Sequence, residues 1–265
     1  MENKLLSRSA KYVVYTAITK GYDILKEPLA LWQKDASFVA FMEEPQDMPG
    51  WEIRPLPQQF TDPCRNAKIP KILPHRYFPD LQYSLWIDGS FLIKSKLSLE
   101  YIIKKHLQNH DLALFKNPLC NSIYEQAVYC LKFGVDRPGL IHRQMQRYAD
   151  EGYRGDNGMV EGGVILRRHT SKVQELNEAW YGEIVNGSRR DQLSFNYVVD
   201  KLGMRYGELP GFTHDNPYFL LISHLKEHSK PVTKRSKFKK KLPKMLGCRK
   251  VVKSLRVDLR TVKVT

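Results

Sequence analysis

Short apolar segments rich in β-branched and aromatic residues alternate along the chain with segments in which apolar residues recur every three or four positions. The first kind predicts strands and the second predicts helices. Predicted strands occupy 11–19, 37–42, 51–54, 83–87, 111–115, 159–167 and 204–209, and predicted helices occupy 64–76, 99–107, 123–134, 141–149, 173–187 and 188–203. Strands that alternate with helices predict an α/β fold with a mostly parallel central sheet flanked by helices.

The stretch 83–94 is the centre of this pattern. Its apolar run 85–87 ends on Asp88 and Gly89, and a second apolar run follows at 91–93. A buried strand that ends on a carboxylate presents it at the sheet edge where α/β proteins bind ligands. Asp-Gly is also a strong hairpin signal, so the same residues are equally compatible with a turn between two paired strands.

Charge divides the chain into two parts. The 265 residues carry a net charge of +15, and 42% of them are hydrophobic, enough for one sizeable core. From 226 to the end, fifteen Lys and Arg stand against two acidic residues, a net charge of +13 that leaves +2 for the rest. We therefore predict a folded domain at 1–225 and a basic tail at 226–265 that contacts an anionic membrane surface or an acidic partner.

Several familiar signals are missing from the sequence. It contains no P-loop, G-x-G-x-x-G, H-E-x-x-H or nucleophile elbow, which removes several common enzyme classes. No apolar run is long enough for a transmembrane helix, the N-terminus lacks the apolar core of a signal peptide, and the four cysteines lack zinc spacing. We therefore expect a cytoplasmic protein with reduced thiols, peripheral at the inner face of the membrane if its tail binds there.

Six sequence blocks in order resemble one glycosyltransferase family, whose plant members are linked to mucilage and cell-wall polysaccharide and which has many bacterial relatives. The blocks are YTAITKGYD at 15–23, KIPK at 68–71 followed by His75, YSLWIDGS at 83–90, IYEQA at 123–127, VEGGVILR at 160–167 and RDQLSF at 190–195. Each block alone is weak, but together they cover 11–215. The family is similar to metal-dependent transferases of the GT-A fold, so the resemblance implies a GT-A-like domain and a UDP- or GDP-linked sugar donor.

The resemblance places Asp88 where the metal-binding acidic motif of the GT-A fold stands. Mn²⁺ or Mg²⁺ takes oxygen ligands and neutralises charge on a departing diphosphate. The usual motif has two carboxylates two positions apart, whereas this chain has Asp88-Gly89-Ser90, so the metal is held weakly, uses water or Ser90, or is dispensable. His214 is the candidate for a further ligand and His224 the reserve, although a loop histidine is more often a surface residue.

The resemblance also places the donor nucleotide after the first strand. The candidates for contact with the base and ribose are Thr16, Tyr22, Asp23 and Glu43. For Glu43, a solvated carboxylate at the sheet edge is the slightly favoured interpretation. Arg65, Lys68 and Lys71 lie at i, i+3 and i+6, within reach of one helical face, and are candidates for phosphate contacts or for an ordinary solvated face.

Asp191 and Gln192 are the candidates for contact with the anomeric carbon, because a carboxylate or amide oxygen stabilises an oxocarbenium-like centre. Asp191 also matches a capping box, Ser188-Arg-Arg-Asp191, that would open the last helix. Glu161 precedes the glycine pair 162–163, which indicates close backbone approach, and is the candidate general base. Its alternative is a solvent-facing carboxylate. A glycine pair followed by a later Asp-Gln is also similar to some retaining transferases, and this resemblance implies retention of configuration.

We therefore expect a metal-assisted glycosyltransferase that uses a nucleotide sugar and a glycan or lipid-linked glycan acceptor, in surface polysaccharide synthesis. One alternative is a nucleic-acid-binding protein, suggested by the sequence pI of about 9.6. Nucleic acid is the less favoured partner, because the charge is terminal and not spread over the folded body. The other alternative is an inactive, glycan-binding relative, suggested by the missing second carboxylate.

Overall fold

A mixed sheet lies at the centre of the computed structural model, which describes residues 11–222. The strands of this part of the chain are β1 (Tyr12–Ile18), β2 (Ala36–Met42), β3 (Glu52–Pro55), β4 (Tyr83–Ile87), β5 (Phe91–Ile93), β6 (Leu112–Lys116), β7 (Val160–Arg168), β8 (Gly207–Leu209) and β9 (Phe219–Leu221). Within the described residues, seven strands form the central sheet in the order β3-β2-β1-β4-β7-β6-β8, and β5 pairs with β9 in a small second sheet.

The central sheet is mostly parallel. Its β1–β2, β2–β3, β1–β4 and β6–β8 pairs are parallel, whereas β7 runs antiparallel to both β4 and β6. The predicted α/β class with a mostly parallel central sheet flanked by helices is therefore confirmed. Because β7 runs in the opposite direction, its first residues lie at the edge of the sheet where β1 and β4 end.

Helices cover both faces of the central sheet. They are α1 (Ala30–Gln33), α2 (Pro63–Ile72), α3 (Pro74–Tyr77), α4 (Leu99–His106), α5 (Ile123–Lys132), α6 (Pro138–Asp150), α7 (Ser171–Asn186) and α8 (Phe195–Lys201), with a 3₁₀ helix at Asp191–Leu193. Successive residues of β1 point to opposite faces. Tyr15 joins the core formed with α2, α5, α6, α7 and α8, whereas Val14 joins the core formed with α1, α4 and the small sheet.

Side-chain caps fix where several helices begin. The oxygens of Asp62, Ser98, Ser122 and Thr170 accept hydrogen bonds from backbone N–H groups in the first turns of α2, α4, α5 and α7. These caps satisfy donors that the helix itself leaves unpaired. The predicted cap at Ser98 is confirmed, and the predicted basic connection before β4 is the helix pair α2 and α3.

The hairpin alternative for Asp88 and Gly89 is wrong. The N–H of Phe91 does donate to the carbonyl of Asp88 at 3.0 Å, so the chain turns here. However, the two flanking strands belong to different sheets, because β5 pairs with β9. Asp88 therefore follows a central strand and is not the tip of a paired ribbon.

The predicted capping box at Ser188 is also wrong. The Ser188 hydroxyl donates to the carboxylate of Asp136 at 2.7 Å, and its oxygen accepts from the N–H of Arg190 at 3.2 Å, the residue before the 3₁₀ helix. Asp191 begins a 3₁₀ helix, and α8 starts only at Phe195. In a capping box the backbone N–H of Ser188 would donate to the side chain of Asp191. Here it donates to Oε1 of Gln144 at 2.9 Å, and the carboxylate of Asp191 pairs with Lys68 and Lys71.

Among the described residues, no helix combines the length and the apolar character needed to cross a membrane. The basic tail at 226–265, the predicted domain boundary at 225 and the reserve ligand His224 lie outside the residues that the structure describes. Contact of the tail with an anionic surface therefore stays a prediction.

Candidate functional site

Asp88 lies where β4 ends, and two groups hold its carboxylate in place. Oδ1 accepts hydrogen bonds from the indole Nε1 of Trp86 at 2.7 Å and from Nζ of Lys71 at 3.1 Å. Trp86 is two residues earlier in the chain, so it shares a side of the strand with Asp88. The side chain of Asp88 is 40% exposed and that of Lys71 only 2%. The carboxylate therefore sits on the boundary between the protein interior and solvent.

Asp191 is the second carboxylate of the site, and it is buried. Its Oδ2 lies 2.8 Å from Nζ of Lys71 and 3.1 Å from Nζ of Lys68. The two lysines are three positions apart on α2 and so project from neighbouring turns. Lys71 thus joins the carboxylates of Asp88 and Asp191, which are far apart in sequence. We call these four residues the lysine–aspartate cluster.

The charges of this cluster shift the pKa values of its members. Burial alone would raise the pKa of Asp191, but Lys68, Lys71 and Arg190 outweigh burial and hold that pKa well below its usual range. Burial alone would lower the pKa of Lys71, but the carboxylates of Asp191 and Asp88 outweigh it and raise that pKa. Both groups therefore stay charged at neutral pH.

The glycine pair allows β7 to approach this cluster. A Cβ atom at Gly162 would lie 3.2 Å from Oδ2 of Asp191 and 3.5 Å from Nζ of Lys71. At Gly163 it would lie 2.7 Å from the ring of Phe91, closer than real Cβ atoms approach. The predicted close backbone approach is confirmed, and what the backbone approaches is the site itself.

A small, open cleft lies beside Asp88. Its walls include Thr16, Lys26, Trp51, Asp88, Gly89 and Phe91. The side chain of Thr16 is almost fully buried, and its hydroxyl makes no hydrogen bond within the described part of the chain. A buried polar group without a partner is uncommon in proteins. The cleft therefore combines apolar walls with a buried hydroxyl that has no partner within residues 11–222.

The loop after β1 lies against the end of β4. A Cβ atom at Gly89 would lie 2.9 Å from Cβ of Asp23, and Nζ of Lys26 donates to the carbonyl of Gly89 at 2.5 Å. Two of the predicted nucleotide residues, Thr16 and Asp23, are therefore close to Asp88. Tyr22 in the same loop is 62% exposed.

Two other predicted binding residues have partners within the fold. Oε2 of Glu43 accepts from the backbone N–H of Lys20 at 2.8 Å. The φ angle of Lys20 is 46°, which is unusual for a residue other than glycine. Arg65 donates to the carbonyls of Ile184 and Gly187, the latter at 2.7 Å. Arg65 therefore binds the carboxyl end of α7, while Lys68 and Lys71 reach Asp191, so the three cations of α2 do not share one target.

Gln192 and Glu161 are each held by backbone groups. Nε2 of Gln192 donates to the carbonyl of Val160 at 3.0 Å, so Gln192 lies beside the start of β7. Oε2 of Glu161 accepts from the N–H of Thr213 at 3.1 Å. The next residue, His214, is exposed and its ring stacks on that of Phe212 with centroids 6.0 Å apart.

The donor set around Asp88 does not provide a complete site for Mn²⁺ or Mg²⁺. Within residues 11–222, no group of three or more His, Cys, Asp or Glu side chains is placed to hold a metal ion. Oδ1 of Asp88 already accepts from Trp86 and Lys71, and the charge beside it is an ammonium group. The carboxylates of the site therefore face lysines rather than further oxygen ligands.

Sequence analysis missed Trp86, Lys26 and the apolar walls of the cleft. Trp86 could have been found, since a residue two positions before Asp88 on a strand shares its side. Lys26 and Trp51 carry no comparable signal. The indole of Trp51 donates to the carbonyl of Lys26 at 2.8 Å, a contact that depends on how the loop after β1 folds back.

Comparison with known protein families gives one match over the region that contains this site. The profile of the family described as TOD1/MUCI70, glycosyltransferase-like domain, matches residues 51–214, more than half of the chain. The matched region includes both carboxylates and both lysines of the cluster.

Two curated proteins of Arabidopsis thaliana are similar in sequence. The probable hexosyltransferase MUCI70 is 30% identical over 156 residues, which are 55% of this chain and 26% of that protein. The alkaline ceramidase TOD1 is 25% identical over 228 residues, which are 72% of this chain and 48% of that protein. The chain therefore spans about half or less of the lengths of these relatives.

Solved glycosyltransferase structures show a partial likeness. The bifunctional glycosyltransferase WbbM in its apo form superposes over 79% of this chain and 40% of its own, with a TM-score of 0.42 and 13% identity. Mouse xyloside xylosyltransferase 1 superposes over 76% and 84%, with a TM-score of 0.44 and 10% identity. The sequence match to the family is the stronger of these findings.

Proposed function

This chain belongs to the TOD1/MUCI70 glycosyltransferase-like family, and from that premise we propose that it transfers a sugar from a UDP- or GDP-linked donor to a hydroxyl group of a glycan or lipid-linked glycan, in surface polysaccharide synthesis. The observation that carries the proposal is the junction of Asp88, Lys71 and Asp191 at the margin of the cleft. In an α/β fold, this edge of the sheet is where a nucleotide is bound.

The cleft supports a donor site next to Asp88. Apolar walls from Trp51 and Phe91 suit the faces of a base or a sugar, and the Thr16 hydroxyl is available to a polar group of the ligand. Lys26 is the cation nearest the turn at Gly89. A diphosphate beside this turn would lie close to positive charge.

The proposed reaction exchanges one bond at the anomeric carbon for another. The bond from that carbon to the diphosphate oxygen breaks, and its electron pair leaves with the diphosphate. The acceptor hydroxyl oxygen then bonds to the same carbon, on the face that the diphosphate leaves, and its proton passes to a base, for which Glu161 is our candidate. Asp191 and Gln192, beside the start of β7, would stabilise positive charge at the anomeric carbon, and we favour retention of configuration.

Ligand-dependent stability tests the donor site. Nucleotide sugars should raise the melting temperature of the full chain, since a ligand that binds only the native state at a hundred times its Kd adds about 2.7 kcal/mol to stability. Thr16→Val, which removes only the hydroxyl, should weaken this effect. Thr61→Val, at an exposed threonine before α2, is the matched control and should leave it unchanged.

Product analysis tests the transfer itself. Sugar transfer or donor hydrolysis by the wild type, lost in Asp191→Asn, is the expected result. If no nucleotide sugar is bound or cleaved under any metal condition, the glycan-binding alternative replaces this proposal. Ceramide is assayed in parallel because one relative is named a ceramidase, and hydrolysis of ceramide without any transfer would overturn the proposal.

A further inference from the structure

The ammonium group of Lys71 occupies the space between the two carboxylates of the site. Nζ lies 3.1 Å from Oδ1 of Asp88 and 2.8 Å from Oδ2 of Asp191. The indole ring of Trp86 closes another side, with its centroid 5.3 Å from Nζ. A cation is thus already coordinated here by oxygen atoms from two separate parts of the chain.

We propose that Lys71 fills the position of a divalent cation at this site, so that the protein binds the diphosphate of its donor without a metal ion. The diphosphate part of this inference rests on the proposed function. The filled cation position rests on the geometry of the cluster alone.

Charge balance supports the inference. A divalent ion between Asp88 and Asp191 would bring two positive charges against two carboxylates. Lys68 and Lys71 bring the same two charges, and both are within 3.1 Å of Asp191. Adding a divalent ion would leave an excess of two positive charges in a largely buried space, which is costly unless further anions accompany it.

Packing supports it as well. The side chain of Lys71 is only 2% exposed, and the backbone of β7 lies so close that a single added Cβ at Gly162 would be 3.5 Å from Nζ. Mg²⁺ and similar ions keep several water molecules in their coordination sphere. The space around Nζ is filled by protein atoms instead.

Direct measurement of Mn²⁺ binding tests the filled position. Electron paramagnetic resonance reports free Mn²⁺ during a titration of the full chain. The wild type should have no Mn²⁺ site that depends on Asp88. The wild type and Asp88→Asn should therefore bind the same amount of Mn²⁺. Lys71→Ala leaves two carboxylates with space between them, so we expect one bound Mn²⁺ per chain, lost again when Asp191→Asn is added.

Lys68→Ala is the matched control. It removes the same charge from the same helix but leaves Lys71 between the carboxylates, so it should gain no Mn²⁺. A folded Lys71→Ala protein without bound Mn²⁺ would overturn the inference. A wild-type Mn²⁺ site that Asp88→Asn abolishes would also overturn it, and this measurement remains decisive if Lys71→Ala does not fold.

Nucleotide affinity completes the test. Titration calorimetry with UDP and GDP should give the same Kd for the wild type in EDTA and in Mn²⁺. Binding that appears only with Mn²⁺ would overturn this inference and leave the proposed function standing. Absence of binding in both conditions would count against the proposed function and the diphosphate part of this inference, while the Mn²⁺ titration would still decide whether Lys71 fills a cation position.

Discussion

Lys71 and Arg167 are two buried cations with opposite surroundings. Lys71 contacts two carboxylates at the margin of the cleft, whereas Nη1 of Arg167 on β7 finds a neutral partner, the hydroxyl of Tyr15, at 2.9 Å. Within the described residues, Nε and Nη2 of Arg167 make no hydrogen bond. Tyr15 links the two regions, because its own hydroxyl donates to the carbonyl of Lys71 at 3.1 Å.

The two cations respond to burial in opposite ways. Burial lowers the pKa of Arg167, and Tyr15 together with the more distant charge of Asp191 offsets only part of that effect. The pKa of Lys71 is raised because the nearby carboxylates outweigh burial. Depth in the protein is therefore not what separates the two sites. Direct ion pairs make the lysine–aspartate cluster electrostatically satisfied, while the surroundings of Arg167 leave a charge that is only partly compensated.

Removal of Asp191 is the strongest test of this difference. Asp191→Ala leaves two buried or nearly buried lysines with Asp88 as their remaining carboxylate in the cluster, and breaking a buried ion pair typically costs about 3 to 5 kcal/mol. Tyr15→Phe removes the acceptor of Arg167 and should cost less, about 1 to 3 kcal/mol. Urea denaturation at neutral pH gives both values. Equal losses would show that ion pairing does not distinguish the two regions.

The pH dependence of stability separates the two regions in a second way. Burial and the charges of Arg167 and His75 lower the pKa of His169 to about 4, from an ordinary value of 6.5. The folded value is the lower one, so this contribution is present above about pH 6.5 and is lost as the pH falls toward 4, by up to about 3 kcal/mol. His169→Gln should remove that slope in urea denaturation measured across this range.

The carboxylate of Asp191 affects the pH dependence of stability at lower pH. Its pKa is also lowered in the folded state, so its contribution is lost only as the pH falls below the ordinary aspartate value of about 3.9. Asp191→Asn should therefore change the slope below about pH 4 and leave the slope above it intact. A variant of Asp191 that instead abolished the loss between pH 6.5 and 4 would contradict this separation.

The regular elements were predictable because their signals are local. The apolar spacing of α4 and its cap at Ser98, and the β-branched run of β1, need no distant partner to be recognised. Asp88 at the end of β4 was identified for the same reason. The hairpin alternative at Asp88 could be rejected only through the pairing of β5 with β9, which begins more than a hundred residues later.

The partners within the site were not predictable. Lys68 and Lys71 were identified as cations on one helical face, but a pattern in α2 carries no information about Asp191, which lies 123 and 120 positions later. Arg65 belongs to the same pattern and binds the end of α7 instead. The capping motif at Ser188 failed for a related reason, since Gln144, which is distant in sequence, accepts the N–H of Ser188. Local patterns therefore indicated candidate side chains and not which of them meet.

The smallest predicted effect concerns how tightly β7 closes on the lysine–aspartate cluster. Gly162→Ala places a Cβ 3.2 Å from Oδ2 of Asp191, so the carboxylate must shift and we expect a loss of about 1 kcal/mol in thermal or urea unfolding. Gly182→Ala in α7 is the control, because its Cβ meets no atom within 4 Å and should stabilise the helix by about 0.5 to 1 kcal/mol. If Gly162→Ala caused no loss of unfolding free energy, the space around Lys71 would be less tightly packed than the structure indicates. The packing argument that Lys71 fills a cation position would then be weaker.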